Sequence, residues 1–180
     1  LPRKLNDNSY VYGQIAYLTN RVIEEVHEKE KIISEMQHEA EGLSEYNLLF
    51  TIPEFGVRTV TSLIGELGDI RLFHSSNALN AYIRIDLRHY YESGNFVATD
   101  HISKRGDAIA RKILFKSIQN IAVASHFHPN HINDFYQKRK RQSSQPETKK
   151  IAIAAIHRLL RTIYHLVKYN QPYNYQIAKV

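Results

Sequence analysis

Apolar residues recur at steps of three and four along the first part of the chain, at Ile15, Leu18, Val22, Val26, Ile33, Met36, Ala40 and Leu43. That spacing predicts one long helix from about Tyr12 to Tyr46. Charged residues cover its other faces, so the stripe fits a coiled-coil arm or a helix laid against another domain. Gly42 and the region of Asn47 loosen it. Leu48-Leu49-Phe50 then leads through Thr51-Ile52-Pro53-Glu54-Phe55-Gly56 into a second apolar helix ending at Leu67, closed by Gly68-Asp69. A short helix, a turn holding Pro and Gly, and another helix make a helix-hairpin-helix signature, and an ordinary αα-corner fits the same pattern. Ser75 or Ser76 is placed to cap a short helix from Asn77 to about Arg84. Residues 85–106 read as loop or short strand, with turns at Ser93-Gly94-Asn95 and at Gly106. A helix from Asp107 to Ser125 follows, then a break at Pro129 and a helix near Ile132–Arg141. Ser144-Gln145-Pro146-Glu147 has the form of a capping box for a last long helix. Ala155, Leu159, Ile163 and Leu166 line one face of that helix, and Asn170-Gln171-Pro172 ends it. The predicted fold is mainly α. A long coiled-coil-like helix occupies residues 1–47, a helical domain opening with a helix-hairpin-helix-like motif occupies 48–175, and 176–180 form a tail.

Charge sharpens this picture. The 180 residues carry a net +6, unevenly spread: residues 1–50 sum to −4 and 51–100 to −2, whereas 101–180 hold 15 Lys/Arg against 3 Asp/Glu and sum to +12. A block this basic suggests a polyanionic partner, with nucleic acid ahead of a merely solvated surface. It includes the run Lys138-Arg139-Lys140-Arg141 and a stripe of Arg158, Arg161, His165 and Lys168 on the last helix. The absence of cysteine excludes a disulfide scaffold and any thiolate metal site. No stretch approaches the length of a membrane span, and the start lacks the apolar run of a signal peptide, so residence inside the cell and no membrane partner are expected. The chain opens on Leu1 and its one methionine is Met36, as expected of a processed chain or a piece of a longer one.

Three constellations could carry chemistry. In the first turn, Gly56, Arg58 and Thr59 would present backbone N–H groups at a helix start, where a phosphate can bind. Glu54 stands there in place of the glycine of the usual hairpin. Ser93-Gly94 and Ile102-Ser103-Lys104-Arg105-Gly106-Asp107, with Arg111, set serines among glycines and bases. A serine so placed could attack a phosphodiester, and on the residues alone a capped turn entering a helix is the favoured reading. His126, His128 and His131 could ligate a metal, but Pro129 lies among them and no carboxylate is nearer than Asp134, so a polar helix–loop junction is expected. Glu66, Asp69 and Asp86 form no recognisable two-metal site.

Taken together these segments resemble a known family. Ile52-Pro53-x-x-Gly56-x-x-Thr59, Ile64-Gly65-Glu66-Leu67-Gly68-Asp69-Ile70 and Ala81-Tyr82 are similar to the opening of its C-terminal domain. Ser93-Gly94, Ile102-Ser103-Lys104-Arg105-Gly106 and Arg111-Lys112-x-Leu114 continue in the same order, and Leu159-Leu160-Arg161-x-Ile163-Tyr164 and Gln171-Pro172-Tyr173 resemble its end. The family is the IS-one-ten/IS-eleven-eleven insertion-sequence transposases, also called DEDD transposases or bridge recombinases. The resemblance covers residues 48–175, with the long helix where that family has its coiled coil. The chain departs from the pattern at Glu54, and at Arg84 and Leu87, which replace a glycine and a proline.

The resemblance implies a bacterial mobile-element recombinase, nucleoid-associated in the cytoplasm, whose N-terminal RuvC-like domain holds four metal-binding acids and a divalent ion such as Mg²⁺. That domain is not in this stretch, so no cofactor or metal is expected here, and the stretch alone is expected to be inactive. Ser93 maps onto the serine nucleophile that the helical domain supplies. Lys104, Arg105 and Arg111 map onto the basic motif after it, and with Lys112, Gly56, Arg58, Thr59, Lys138, Arg139, Lys140 and Arg141 they are the expected phosphate contacts. DNA is the implied partner, with a structured guide RNA in some members and self-association through the N-terminal helix. A helix-hairpin-helix adaptor and an inactive remnant are the alternatives.

Overall fold

The computed structural model describes residues 9–85, 87–92, 95–102, 107–143 and 148–178. Helix α1 (Ser9–Glu41) is followed by α2 (Ser44–Phe50), α3 (Val57–Leu67), a 3-10 turn at Ile70–Leu72, and α4 (Ser76–Ile83). Strands β1 (Leu87–Glu92) and β2 (Asn95–Ile102) come next, then α5 (Ala108–Ala124), α6 (His131–Gln142), α7 (Thr148–Tyr169) and a last turn, α8 (Tyr175–Ala178). The fold is mainly α, as the periodicity predicts.

α7 is the hub. Ala152, Ala155, Ile156, Leu159, Leu160, Ile163, Leu166 and Val167 are all buried, a wider stripe than the four positions named from the sequence. Around it pack Leu49 of α2, Leu79 and Ile83 of α4, Leu114, Ile118 and Ile121 of α5, and Ile132 of α6, and Val60, Leu63 and Ile64 of α3 join the same core against α2 and α5. Each fully buried Leu or Ile contributes about 1.5–3 kcal/mol by leaving water. Polar ties fix the angles between these helices. The Arg71 guanidinium lies 2.8 Å from the buried Glu45 carboxylate and 2.6 Å from the Ser44 hydroxyl, and the Tyr164 hydroxyl donates to the Phe73 carbonyl at 3.2 Å.

The capping chemistry follows the sequence. Ser75, rather than Ser76, accepts from the Ala78 N–H and starts α4. Asp107 accepts from the N–H groups of Ile109 and Ala110 and starts α5. Asn130, after Pro129, accepts from the Ile132 N–H and starts α6. Asn170 ends α7 in the left-handed region (φ 50°), with the Gln171 N–H returning to the Leu166 carbonyl. The capping box expected at 144–147 lies outside the described residues.

The long first helix differs from expectation at its end. It stops at Glu41, and Tyr46 belongs to α2. Gly42 and Leu43 bend the chain so that Glu45, Tyr46, Leu48 and Leu49 turn inward and become buried. Every described side chain from Tyr10 to Ile32 is exposed. Among the described residues α1 meets the helical body from Glu30 onward, where Glu30 pairs with Arg58, Met36 sits against Gly65 and Ala40 is buried. Residues 85–106, read as loop or short strand, contain an antiparallel hairpin, with His89 opposite Ala98, Tyr90 opposite Val97 and a bulge near Leu87. The expected turn at Ser93-Gly94 lies outside the described residues.

Candidate nucleic-acid interface

The turn between α2 and α3 is held from both sides by buried Ile52 and Phe55. Between them Glu54 adopts φ 70°, a conformation that glycine reaches freely and other residues enter at a cost of about 1–2 kcal/mol. Its carboxylate lies 2.8 Å from Nδ1 of His128, in the α5–α6 connection. Arg84, at the second position where the family pattern has glycine, is also left-handed, at φ 57° and ψ 48°. Both departures therefore keep a glycine-type backbone under a charged side chain.

Gly56 is the N-cap of α3, extended at φ −87°, with open space where a Cβ would stand and no side chain capping the helix. The first N–H groups of α3 are thus free of a side-chain cap, as the phosphate-binding expectation requires. Arg58 is not free: it pairs with Glu30 of α1. Thr59 is half-buried. Arg111 is half-buried too, and its Nη1 donates to the Ile83 carbonyl at 2.9 Å. There a cation meets the negative end of α4, so Arg111 serves as a tie between α4 and α5, and Lys112 beside it is exposed. Ser93, Lys104 and Arg105 lie outside the described residues.

Lys138, Arg139, Lys140 and Arg141 are all exposed at the end of α6. Arg139 stands 5.4 Å from the Phe135 ring centroid, and Arg158 of α7 stands at the same distance from that ring. Phe135 thus joins the basic run of α6 to the basic stripe of α7. Arg158, Arg161 and His165 continue along α7 into a cavity of about 380 Å³, closed on its other side by Gln171–Ala178. The structure therefore brings the α6 run together with an α7 stripe that was absent from the expected phosphate contacts. The stripe is legible in the sequence, whereas the return of the chain across it is not.

The three histidines separate. His126 is exposed, His128 meets Glu54, and His131 is buried. Nδ1 of His131 lies 2.8 Å from the Tyr173 hydroxyl and its Nε2 lies 3.2 Å from Thr162 Oγ1. Thr162 itself donates to the Arg158 carbonyl, so a consistent set has Nε2–H donating to Thr162 and the tyrosine donating to Nδ1. Burial, with Arg158 near, pushes His131 down to about 4 from 6.5, partly opposed by Asp134. Glu66 is held above its ordinary carboxyl range by a hydrogen bond to Asp107, then by burial. Among the described residues no three His, Asp or Glu side chains converge on a metal-sized site, and no helix is long and apolar enough to cross a membrane.

Residues 46–137, from α2 into α6, match the Transposase IS116/IS110/IS902 family. The chain belongs to this transposase family. It is also similar to two pilin gene-inverting proteins. That of Moraxella bovis is 28% identical over 173 residues, which are 94% of this chain and 50% of that protein. That of Moraxella lacunata is 30% identical over 132 residues, 73% of this chain and 39% of that protein. The chain thus spans half or less of the length of these relatives. Ser93, Lys104, Arg105, Arg111 and Lys112 fall within the segment matched to the transposase family, and every residue lining the α7 cavity except His131 falls beyond it.

Proposed function

We propose that this chain is the C-terminal part of a transposase or recombinase, binding DNA through its basic face and contributing Ser93 as the nucleophile of strand exchange in the full-length protein. The observation that carries this reading is the family match over 46–137, which takes in Ser93 and the bases that follow it. The similarity to proteins named for inverting a pilin gene supports it, because inversion requires DNA backbones to be cut and rejoined. The exposed run Lys138–Arg141 supports the DNA-binding half.

In the proposed step the Ser93 hydroxyl oxygen bonds to a backbone phosphorus as the bond from that phosphorus to one sugar oxygen breaks. The serine proton leaves, and the departing strand gains a free hydroxyl. Attack of a strand hydroxyl on the phosphoserine restores the serine, so the exchange needs no oxidant. Cations near Ser93, with Lys104 and Arg105 as candidates, would stabilise the charge on the phosphorane. A divalent ion would supply charge neutralisation from the acidic N-terminal domain of the full-length protein. The described residues of this chain do not fit one, and no step here runs through it. A guide RNA and self-association along the exposed stripe of α1 belong to the same proposal.

Ser93→Ala in the full-length protein tests the nucleophile. Strand cleavage is expected to vanish with duplex binding intact, and unchanged cleavage removes Ser93 from the role. A salt titration of duplex binding by this chain tests the interface: affinity is expected to fall steeply with salt as counterions are displaced, and indifference to salt contradicts phosphate contact.

A further inference from the structure

The cavity between α7 and the segment Gln171–Ala178 is lined by two chemically distinct sets of residues. Arg158, Arg161 and His165 form one, at steps of three and four along α7, with the Thr162 hydroxyl between them. Leu166, Pro172 and Ile177 form the other, beside the Tyr173 ring. No Asp or Glu lines the space. Asp134, on the neighbouring α6, is engaged instead by the Tyr175 hydroxyl at 2.9 Å. Among the described residues neither Arg158 nor Arg161 pairs with a carboxylate.

The cavity is built rather than incidental. Tyr173, its far wall, is pinned at both ends: its N–H donates to Thr51 Oγ1 at 2.7 Å, and its hydroxyl meets His131. The His131 ring stacks on Tyr173 at 5.5 Å between centroids. Two guanidiniums without carboxylate partners in a concave space ask for an anion, and apolar side chains with a fixed aromatic ring in the same space ask for a flat apolar body. A nucleotide carries both. The volume of about 380 Å³ lies in the range of small-molecule pockets and is of the size of one nucleotide.

The geometry points to a binding site for one unpaired nucleotide of a nucleic-acid strand, its phosphate on Arg158 and Arg161 and its base against Tyr173 and the Leu166–Ile177 wall. This rests on the nucleic-acid reading above and adds a specific site to it. The basic run of α6 reaches the site through Arg139, Phe135 and Arg158, so a strand lying on α6 would pass the cavity mouth.

The test compares fluorescence anisotropy of this chain with a mixed-sequence single-stranded DNA, the same sequence as RNA, and the duplex DNA. The variants are Arg161→Ala with His165→Ala, both exposed positions, and Lys138→Ala with Lys140→Ala. The α7 double variant is expected to weaken single-strand binding about tenfold, within the range of a lost phosphate contact and the base it positions, and to weaken the duplex clearly less. The α6 double variant is expected to weaken all three. A loss confined to DNA or to RNA supports the site and names its strand. Equal losses on single strand and duplex, or no loss, overturn the site while leaving the nucleic-acid reading in place. Absence of binding to all three overturns that reading itself. In a second measurement the His165 ring resonances are followed while thymidine monophosphate or inorganic phosphate is added. A larger response to the nucleotide supports the base wall, and equal responses overturn it.

Discussion

The Tyr173 hydroxyl lies 2.8 Å from Nδ1 of His131, and this contact fastens the segment after α7 to the start of α6. Both groups are largely out of water, so the bond is hard to replace. Tyr173→Phe is expected to cost about 1–3 kcal/mol, because it leaves a buried ring nitrogen without its partner. Urea denaturation of the variant and the parent measures it, and equal midpoints would show that the contact does not hold the segment.

The same histidine predicts a pH dependence. In the unfolded chain the ring protonates near pH 6.5, and in the folded chain it resists protonation until about 4. Between those values the unfolded state binds more protons, so His131 lowers stability as pH falls from 6.5 toward 4 and leaves it unchanged above. At about 1.4 kcal/mol per pH unit the loss approaches roughly 3 kcal/mol at the acid end. His131→Gln is expected to flatten that part of the curve. Parallel curves for variant and parent would mean that the ring is not held neutral.

Glu54 and Arg84 occupy left-handed backbone. Arg84→Gly is expected to be neutral or stabilising by up to about 1 kcal/mol, since glycine relieves the strain but loosens the unfolded chain. Arg84→Val is expected to cost more than about 1 kcal/mol, because a β-branched residue is worse there. Glu54→Gly gains less than Arg84→Gly, because it also gives up the contact with His128. Thermal melts of the three variants order them.

Leu159 and Val22 mark the difference between body and arm. Leu159 is fully buried in α7, whereas Val22 is 62% exposed on α1. Leu159→Ala is expected to cost about 2–5 kcal/mol, and Val22→Ala to stay within about 0.5 kcal/mol in the monomer. A concentration-dependent loss for Val22→Ala would instead reveal that α1 is paired in solution.

What the sequence discloses follows from the range of the interactions involved. The α7 stripe at Ala155, Leu159, Ile163 and Leu166 is a periodic signal within one element, and so are the caps at Ser75, Asp107 and Asn170. The end of α1 is misplaced because Tyr46 continues the helical period while its burial, decided by distant residues, turns it into α2. Arg58 and Arg111 look like phosphate ligands in a one-dimensional reading, yet Glu30 and the Ile83 carbonyl, each 28 positions away, already engage them. The α7 cavity needs Tyr173 to meet both Thr51 and His131, at separations of 122 and 42 positions, which no local pattern encodes.

At Gly65 an added Cβ would stand 3.2 Å from Cε of Met36, so the last turns of the first helix lie close against α3 where the glycine carries no side chain. The exposed turns of α1 are therefore aimed by this close approach together with the Glu30–Arg58 pair.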